Sequence, residues 1–387
     1  MHPNPPNEDL LHIIIYDYLK KKRLSNSAEA FRIETQLNGQ LPNAMDQPPH
    51  GFLYNFWNSL HEPRFRDGVA KALTQGLVVN IDAIIDGLPR IHREGYSITH
   101  LSSFESGQTL LSCDISSDGN TVASGGIGLK PFICYVGTPL SVTSVESHSS
   151  TILDVRFQPG TNIFATASAD TTVKLWDANK PAIALSKFVG HNWRVRSLDF
   201  HPLGRILCSS DAEGVIKAWD VNRQLLINSH TVGGSRVRFQ PGNGSLLAVA
   251  NRNVITILDP KNFMVINRLE GHVNDIESLC WDVSGRMIAS VSEDSVRVWS
   301  LFKTGPCIYL YSLNKGRFNS IIFHPRYNDV LVIGGSECLE VLILEKTKIS
   351  VARASNLSVT GLAATTAKSE YIASVSQQSD SVVNIWK

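Results

Sequence analysis

Short runs of alternating apolar and polar residues recur along most of this chain, and each closes on an apolar or aromatic residue at a regular step. Phe157, Phe200, Phe239, Trp281 and Phe323 hold that position, at steps of 43, 39, 42 and 42. Ile115 stands 42 residues before Phe157 and Ala364 stands 41 after Phe323, which extends the series to seven. The second half of each unit is hairpin-like. From Phe164 to Asp177, two β-type runs flank the polar Asp170-Thr171 turn. Ile206 to Asp220 repeats that pattern, Ile288 to Trp299 repeats it again, and the last unit ends in Val383-Asn384-Ile385-Trp386. A period of 40–45 residues built from hairpins predicts a circular array. The expected fold is mainly β, a seven-bladed β-propeller over residues 96–387, and such a ring is a binding platform before anything else.

The last unit stops at a third strand, so its blade needs a fourth from elsewhere. Tyr96 to Phe104 alternates enough to supply it, and closure of this kind removes two open sheet edges. On the ring, the loops before the innermost strands gather on one face. Six residues before each marker, that column reads Thr151, Arg194, Gly233, Asp275 and Arg317. Trp193 beside Arg194 is a candidate anchor, because Trp and Arg are enriched where binding energy concentrates, and packing between blades is its alternative. Lys315 and Arg317 add positive charge, while Asp275 and Glu277 oppose it. The mixed signs suit a peptide better than a phosphate backbone.

Towards the N-terminus the period changes from two to helical. Leu10, Leu11, Ile14, Ile15, Tyr18 and Leu19 form one apolar face, and Asn26-Ser27-Ala28-Glu29 reads as a capping box before Phe31. Two short helices cannot bury such faces alone, so residues 1–66 are expected to dimerise, with Leu11, Ile14, Ile15, Tyr18, Leu19 and Phe31 at the contact. Docking of this hairpin back on the ring is the alternative. Phe52, Leu53, Tyr54, Phe56 and Trp57 crowd one short stretch and form either a small core or an adhesive surface for a partner. Residues 67–95 read as a linker. The basic run Lys20 to Arg23 is either a nuclear localisation signal or a solvated helix end.

Composition narrows the function. With 36 basic and 35 acidic residues the net charge is +1, so no global field draws the chain to nucleic acid. Six cysteines without a C-x-x-C pair read as reduced core residues, and the Met-His-Pro-Asn-Pro-Pro opening lacks the apolar core of a secretory signal. A soluble intracellular protein is expected. No phosphate-binding Gly loop, H-E-x-x-H or G-x-S-x-G motif is present, so no enzyme activity, catalytic residue, metal or cofactor is expected. Gly233-Gly234-Ser235 and Gly334-Gly335-Ser336 read as blade turns.

Trp176-Asp177, Trp219-Asp220 and Trp299, with Gly190-His191 and Gly271-His272 before their blades, resemble the WD40 family over roughly residues 96–387. That resemblance implies a structural relay of a His, a hydroxyl, a turn Asp and a Trp. In blade two its members would be His148, Ser168, Asp170 and Trp176, and His191, Trp219, His272 and Trp299 would hold matching places. Blade three offers Glu213 at the Asp position. Blades one, four and six lack the Trp and are expected to hold by apolar packing alone.

Tyr16-Asp17-Tyr18-Leu19, Ser27-Ala28-Glu29-Ala30-Phe31 and Glu34 resemble the LisH dimerisation motif. Together with Gly51 to Trp57, the ring, and the phrases Ser290 to Trp299 and Phe323-His324-Pro325, they resemble the plant LEUNIG-type transcriptional corepressors. The resemblance implies a SEUSS-type adaptor held by Phe52 to Trp57, DNA-bound transcription factors reached through it, and histone deacetylases or Mediator components as effectors. It implies work in the nucleus, with the cytoplasm as a further location; the short apolar stretches and the balanced charge separately predict no membrane span and no direct nucleic-acid contact. The chain departs from that family in lacking a Gln-rich middle, and Pro63 cuts any helix continuing the adaptor-binding stretch. Two other roles stay open: substrate receptor of a cullin ubiquitin ligase, and cytoskeletal LisH–WD40 scaffold. Asn179 and Asn222 stand where the ligase receptors carry Arg, and residues 40–95 hold too many Pro and Gly for a coiled coil.

Overall fold

Each marker residue ends the innermost strand of one sheet: Leu110–Ile115, Ile152–Phe157, Val195–Phe200, Arg236–Phe239, Ile276–Trp281, Phe318–Phe323 and Gly361–Ala364. The computed structural model describes residues 98–387, apart from 294, 302–306, 313–316, 337–338, 345–348, 356–357, 366–369 and 377–380. Seven four-stranded antiparallel sheets make the ring. In six of them the strands follow chain order from the channel outwards; the seventh takes its outer strand from the start of the described chain. That strand is His100–Glu105, with Ile98 and Thr99 leading into it, and it pairs with Val382–Trp386 from Glu105 opposite Val382 to His100 opposite Trp386. Thr99 and Lys387 exchange backbone hydrogen bonds of 2.8 and 3.0 Å at the end of the seam.

The apolar residues of these strands are spent between blades. Seven buried clusters lie around the ring, each drawing on two neighbouring sheets: Leu175, Phe188, Leu198 and Trp219 join blades two and three, and Val383, Ile385, Leu110 and Val122 join blade seven to blade one. Stability therefore depends on the ring being whole, because no blade has a core of its own.

Cross-strand register explains where the tryptophans fall. Phe157 faces Phe164, which faces Trp176; Phe200, Leu207 and Trp219 repeat the line, as do Trp281, Ile288 and Trp299, and Ala364, Ile372 and Trp386. In blades one, four and six the same column holds Cys134, Leu258 and Leu342, all fully buried. Two residues beyond the middle partner stands the hydroxyl that accepts the indole N–H: Thr166 at 2.9 Å, Ser209 at 2.8 Å, Ser290 at 2.8 Å and Ser374 at 2.9 Å. The blade-two hydroxyl is thus Thr166, not Ser168. Ser168 sits at the strand end, donates to the Ser150 carbonyl and accepts the Asp170 N–H, so it shapes the turn.

His148 completes the blade-two relay, with Nε2 at 2.7 Å from Thr166 Oγ1 and Nδ1 at 2.8 Å from Asp170 Oδ2. In blade three the acid is Asp211, 2.9 Å from His191 Nδ1, and Glu213 is an exposed turn residue. Burial lowers the His191 pKa against the opposing pull of Asp211, so the imidazole is held neutral. His272 uses Ser290, Ser292 and Ser295 in the same places. Thr166→Val would orphan the Trp176 N–H and one nitrogen of His148 in a dry interior. We expect a loss of about 2 kcal/mol, read as a melting point several degrees below wild type, whereas Thr166→Ser should be nearly silent.

Candidate functional site

Between the Trp columns and the axis, the inner strands carry a second register that faces the central channel. The residue before each marker reads Asp114, Arg156, Asp199, Arg238, Cys280, Ile322 and Ala363, charged on blades one to four and apolar on blades five to seven. Two residues earlier the column reads Ser112, Asp154, Ser197, Arg236, Ser278, Ser320 and Gly361. These side chains stitch neighbouring blades. Ser112, Ser197 and Ser320 accept the backbone N–H of Val155, Val237 and Leu362 on the next sheet, and Asp154 accepts that of Leu198. Asp114 and Asp199 accept the N–H of Phe157 and Phe239, each at 2.7 Å.

Asp154 is the hub. Its carboxylate takes hydrogen bonds from Ser112 at 3.0 Å, Ser197 at 2.9 Å and Arg238 Nη1 at 3.1 Å, with Arg156 Nη2 at 3.6 Å. Burial works to raise its pKa, but the guanidiniums of Arg238 and Arg156 outweigh that and hold the carboxyl well below the usual range. At Asp199 burial wins instead, and pushes the carboxyl up to about 6 against the same two arginines. A carboxyl raised in the fold adds stability below its unfolded pKa of about 3.9 and loses that contribution as pH climbs towards 6. Asp199→Asn keeps an acceptor for the Phe239 N–H and removes the charge. It should melt higher than wild type at pH 8, by an increment on the order of 2 kcal/mol, and show no advantage at pH 4.

The opposite end of the inner strands, where the loops enter them, holds a polar cleft of about 330 Å³. Its origin is visible in the spacing. The step from Phe200 to Phe239 is 39 residues, and the missing length falls in blade four, whose entry loop is residues 232–235 and whose inner strand Arg236–Phe239 has four residues and no bulge. Blades one, two, three, five and six have six-residue inner strands with a bulge after the first residue. The short loop lies low because Gly233 and Gly234 adopt φ of +77° and +132°. A Cβ on Gly234 would come within 2.3 Å of Val249 Cγ1, so a side chain there would lift the loop.

Arg196, Arg236, Arg252, Glu213, Asp275 and Glu277 surround the notch. None of these six forms an ion pair among the described residues. Arg236 instead donates Nε to the Glu277 carbonyl at 2.8 Å and Nη1 to the Arg196 carbonyl at 3.4 Å. Both signs of charge therefore line the notch without a close ion pair among the described residues, which suits a peptide bringing side chains of both signs.

Of the surface column expected from sequence, Asp275 and Gly233 line this cleft; Thr151, Trp193, Arg194 and Arg317 do not. Trp193 is 55% exposed, and Arg317 is paired with Glu293 at 2.6 Å. Gly334 and Gly335 end the strand Val330–Gly335 and form no turn. Lys315 lies outside the described residues, as do Leu11, Ile14, Ile15, Tyr18, Leu19 and Phe31 of the expected dimer contact and Phe52, Leu53, Tyr54, Phe56 and Trp57 of the expected adaptor surface. Arg196, Arg236, Arg252 and Glu213 were not singled out by the column; the 39-residue step beside Gly233-Gly234 was the signal for them. Burial raises the thiol pKa of Cys113, Cys134, Cys208 and Cys280, that of Cys134 to about 12, which keeps all four as protonated, unreactive thiols.

The family model for the WD domain, G-beta repeat, matches residues 139–177, 183–220 and 263–300. The chain is 37% identical over 284 residues to the transcriptional corepressor LEUNIG_HOMOLOG of Arabidopsis thaliana, a match covering 73% of this chain and 36% of that relative. The ring carries WD40 repeats and is similar to a LEUNIG-type corepressor. The chain is also similar over shorter stretches to other proteins. Pre-mRNA-processing factor 19 of Oryza sativa subsp. japonica is 23% identical over 50% of this chain and 38% of its own length. Nuclear distribution protein PAC1 of Arthroderma benhamiae is 32% identical over 48% of this chain and 43% of its own length. The matched region thus spans little more than a third of the LEUNIG-type relative.

Proposed function

We propose that this chain is a non-enzymatic adaptor of transcriptional repression that holds partner proteins on its ring and pairs with itself through residues 1–66. The observation that carries this reading is the likeness to a transcriptional corepressor over 73% of the chain. It is supported by a ring whose entry face gathers charges of both signs in one notch. In this reading the cleft takes a partner peptide, Phe52, Leu53, Tyr54, Phe56 and Trp57 capture a SEUSS-type adaptor, and the complex acts in the nucleus on transcription factors, histone deacetylases or Mediator components. The helical face of Leu11, Ile14, Ile15, Tyr18, Leu19 and Phe31 makes the dimer.

Fused to a heterologous DNA-binding domain, the full chain should lower expression of a reporter carrying the matching sites. Unchanged expression, with the fusion shown in the nucleus, would contradict the proposal. Ile14→Asp combined with Tyr18→Asp should convert the full chain from dimer to monomer in light scattering and leave the melt of the ring unchanged; a persistent dimer would move the self-association elsewhere.

A further inference from the structure

At the marker end of the inner strands, away from the partner cleft, the channel opens into a second cavity of about 240 Å³. Its walls differ in chemistry. Asp114, Arg156 and Arg238 stand on one side; Ile321, Ile322, Leu362 and Ala363 line the other, with Trp281 between. Arg238 commits Nη1 to four acceptors: Asp154, Ser197 and the carbonyls of Leu198 and Val237. Arg156 is not so placed. Its Nη1 lies 3.5 Å from Asp114 and its Nη2 3.6 Å from Asp154, both longer than a charge-assisted hydrogen bond of about 2.8 Å. Its Nε is buried without an acceptor, although the side chain is only 17% exposed.

A guanidinium held in this way is costly, and its planar fork matches a carboxylate in two parallel hydrogen bonds. Asp114 does not make that paired contact: its Oδ1 stands 3.5 Å from Arg156 Nη1, and its Oδ2 accepts the Phe157 N–H. The cavity wall itself presents two guanidiniums and one carboxylate, with Asp154 and Asp199 beside the same arginines, so the preference for an anion over an amine rests on the unfilled donors of Arg156. The facing wall is apolar, so it favours an anion with a hydrocarbon body over a fully hydrated one.

We propose that this cavity binds a small organic acid, with its carboxylate on Arg156 and its apolar body against Trp281, Ile322 and Ala363. The site is separate from the partner cleft and does not depend on the repression reading. The probes are phenylacetate and octanoate at millimolar concentration, with inorganic phosphate, acetate and phenethylamine as controls, added to the full chain. The two amphipathic acids should raise the melting temperature by about 2–4 °C through binding to the folded state alone. They should also change the tryptophan emission, and Trp281→Phe should remove that change. Arg156→Gln should abolish both effects. Because Arg156 also touches Asp114 and Asp154, Ile322→Phe is the second variant: it narrows the cavity from the apolar side and should abolish binding while leaving the Arg156 contacts intact. The proposal fails if neither acid shifts the melt, if phosphate, acetate or phenethylamine does so equally, or if Ile322→Phe binds as wild type does.

Discussion

Removal of residues 382–387 is expected to abolish the cooperative melt of the ring. Val382–Trp386 is an inner member of its sheet, paired on one side with Ile372–Val375 and on the other with His100–Glu105. Its loss leaves both neighbours with unpaired edges. Val383, Ile385 and Trp386, all within 4% of full burial, would leave the cores shared with blades one and six. Each such side chain is worth roughly 1.5–3 kcal/mol of burial, and the ladder and the Trp386–Ser374 bond go with them. Together these losses reach the whole stability of an ordinary domain, about 5–15 kcal/mol. The shortened chain should bind a hydrophobic dye at room temperature and lose a single thermal transition. A sharp transition within a few degrees of wild type would show that the blades stand without closure.

Asp154→Ala should be the most damaging single substitution in the channel wall. It leaves Arg238 and Arg156 buried beside each other without their shared counter-ion, and it removes the acceptor for Ser112, Ser197 and the Leu198 N–H. Breaking a buried pair from one side typically costs about 3–5 kcal/mol. Asp154→Asn keeps much of the hydrogen bonding and should fall between Ala and wild type. Because the Asp154 pKa is depressed, its contribution is present above the unfolded carboxyl value of about 3.9 and disappears as pH falls further. The gap in denaturant midpoint between Asp154→Ala and wild type should therefore narrow in acid. An equal gap at pH 7 and pH 3 would remove the charge pairing from the explanation.

The ring was legible because one spacing, marker to marker, is set by backbone geometry and survives changes of residue type: Ala364 and Ile115 keep register as well as Phe323 does. The relay was only partly legible. The WD40 resemblance pointed to Ser168 and Glu213, yet the indole N–H reaches back one strand step to Thr166, and the acid is Asp211. That difference is a matter of reach across a pleated pair, and polarity alone does not encode it. The cleft was written as a deficit of residues at the 39-residue step beside Gly233-Gly234, which a search for recurring residues passes over. The channel wall was hidden for another reason. Asp154 and Arg238 are 84 positions apart and meet only because blades two and four share one axis.

The most direct test compares tethered repression by the full chain with that by Arg252→Glu combined with Asp275→Arg, two exposed cleft residues whose substitution leaves the core untouched. Wild type should silence the reporter, and the variant should lose most of that silencing while melting within about 1 °C of wild type. Silencing at wild-type strength by the variant would contradict the assignment of partner binding to the blade-four cleft.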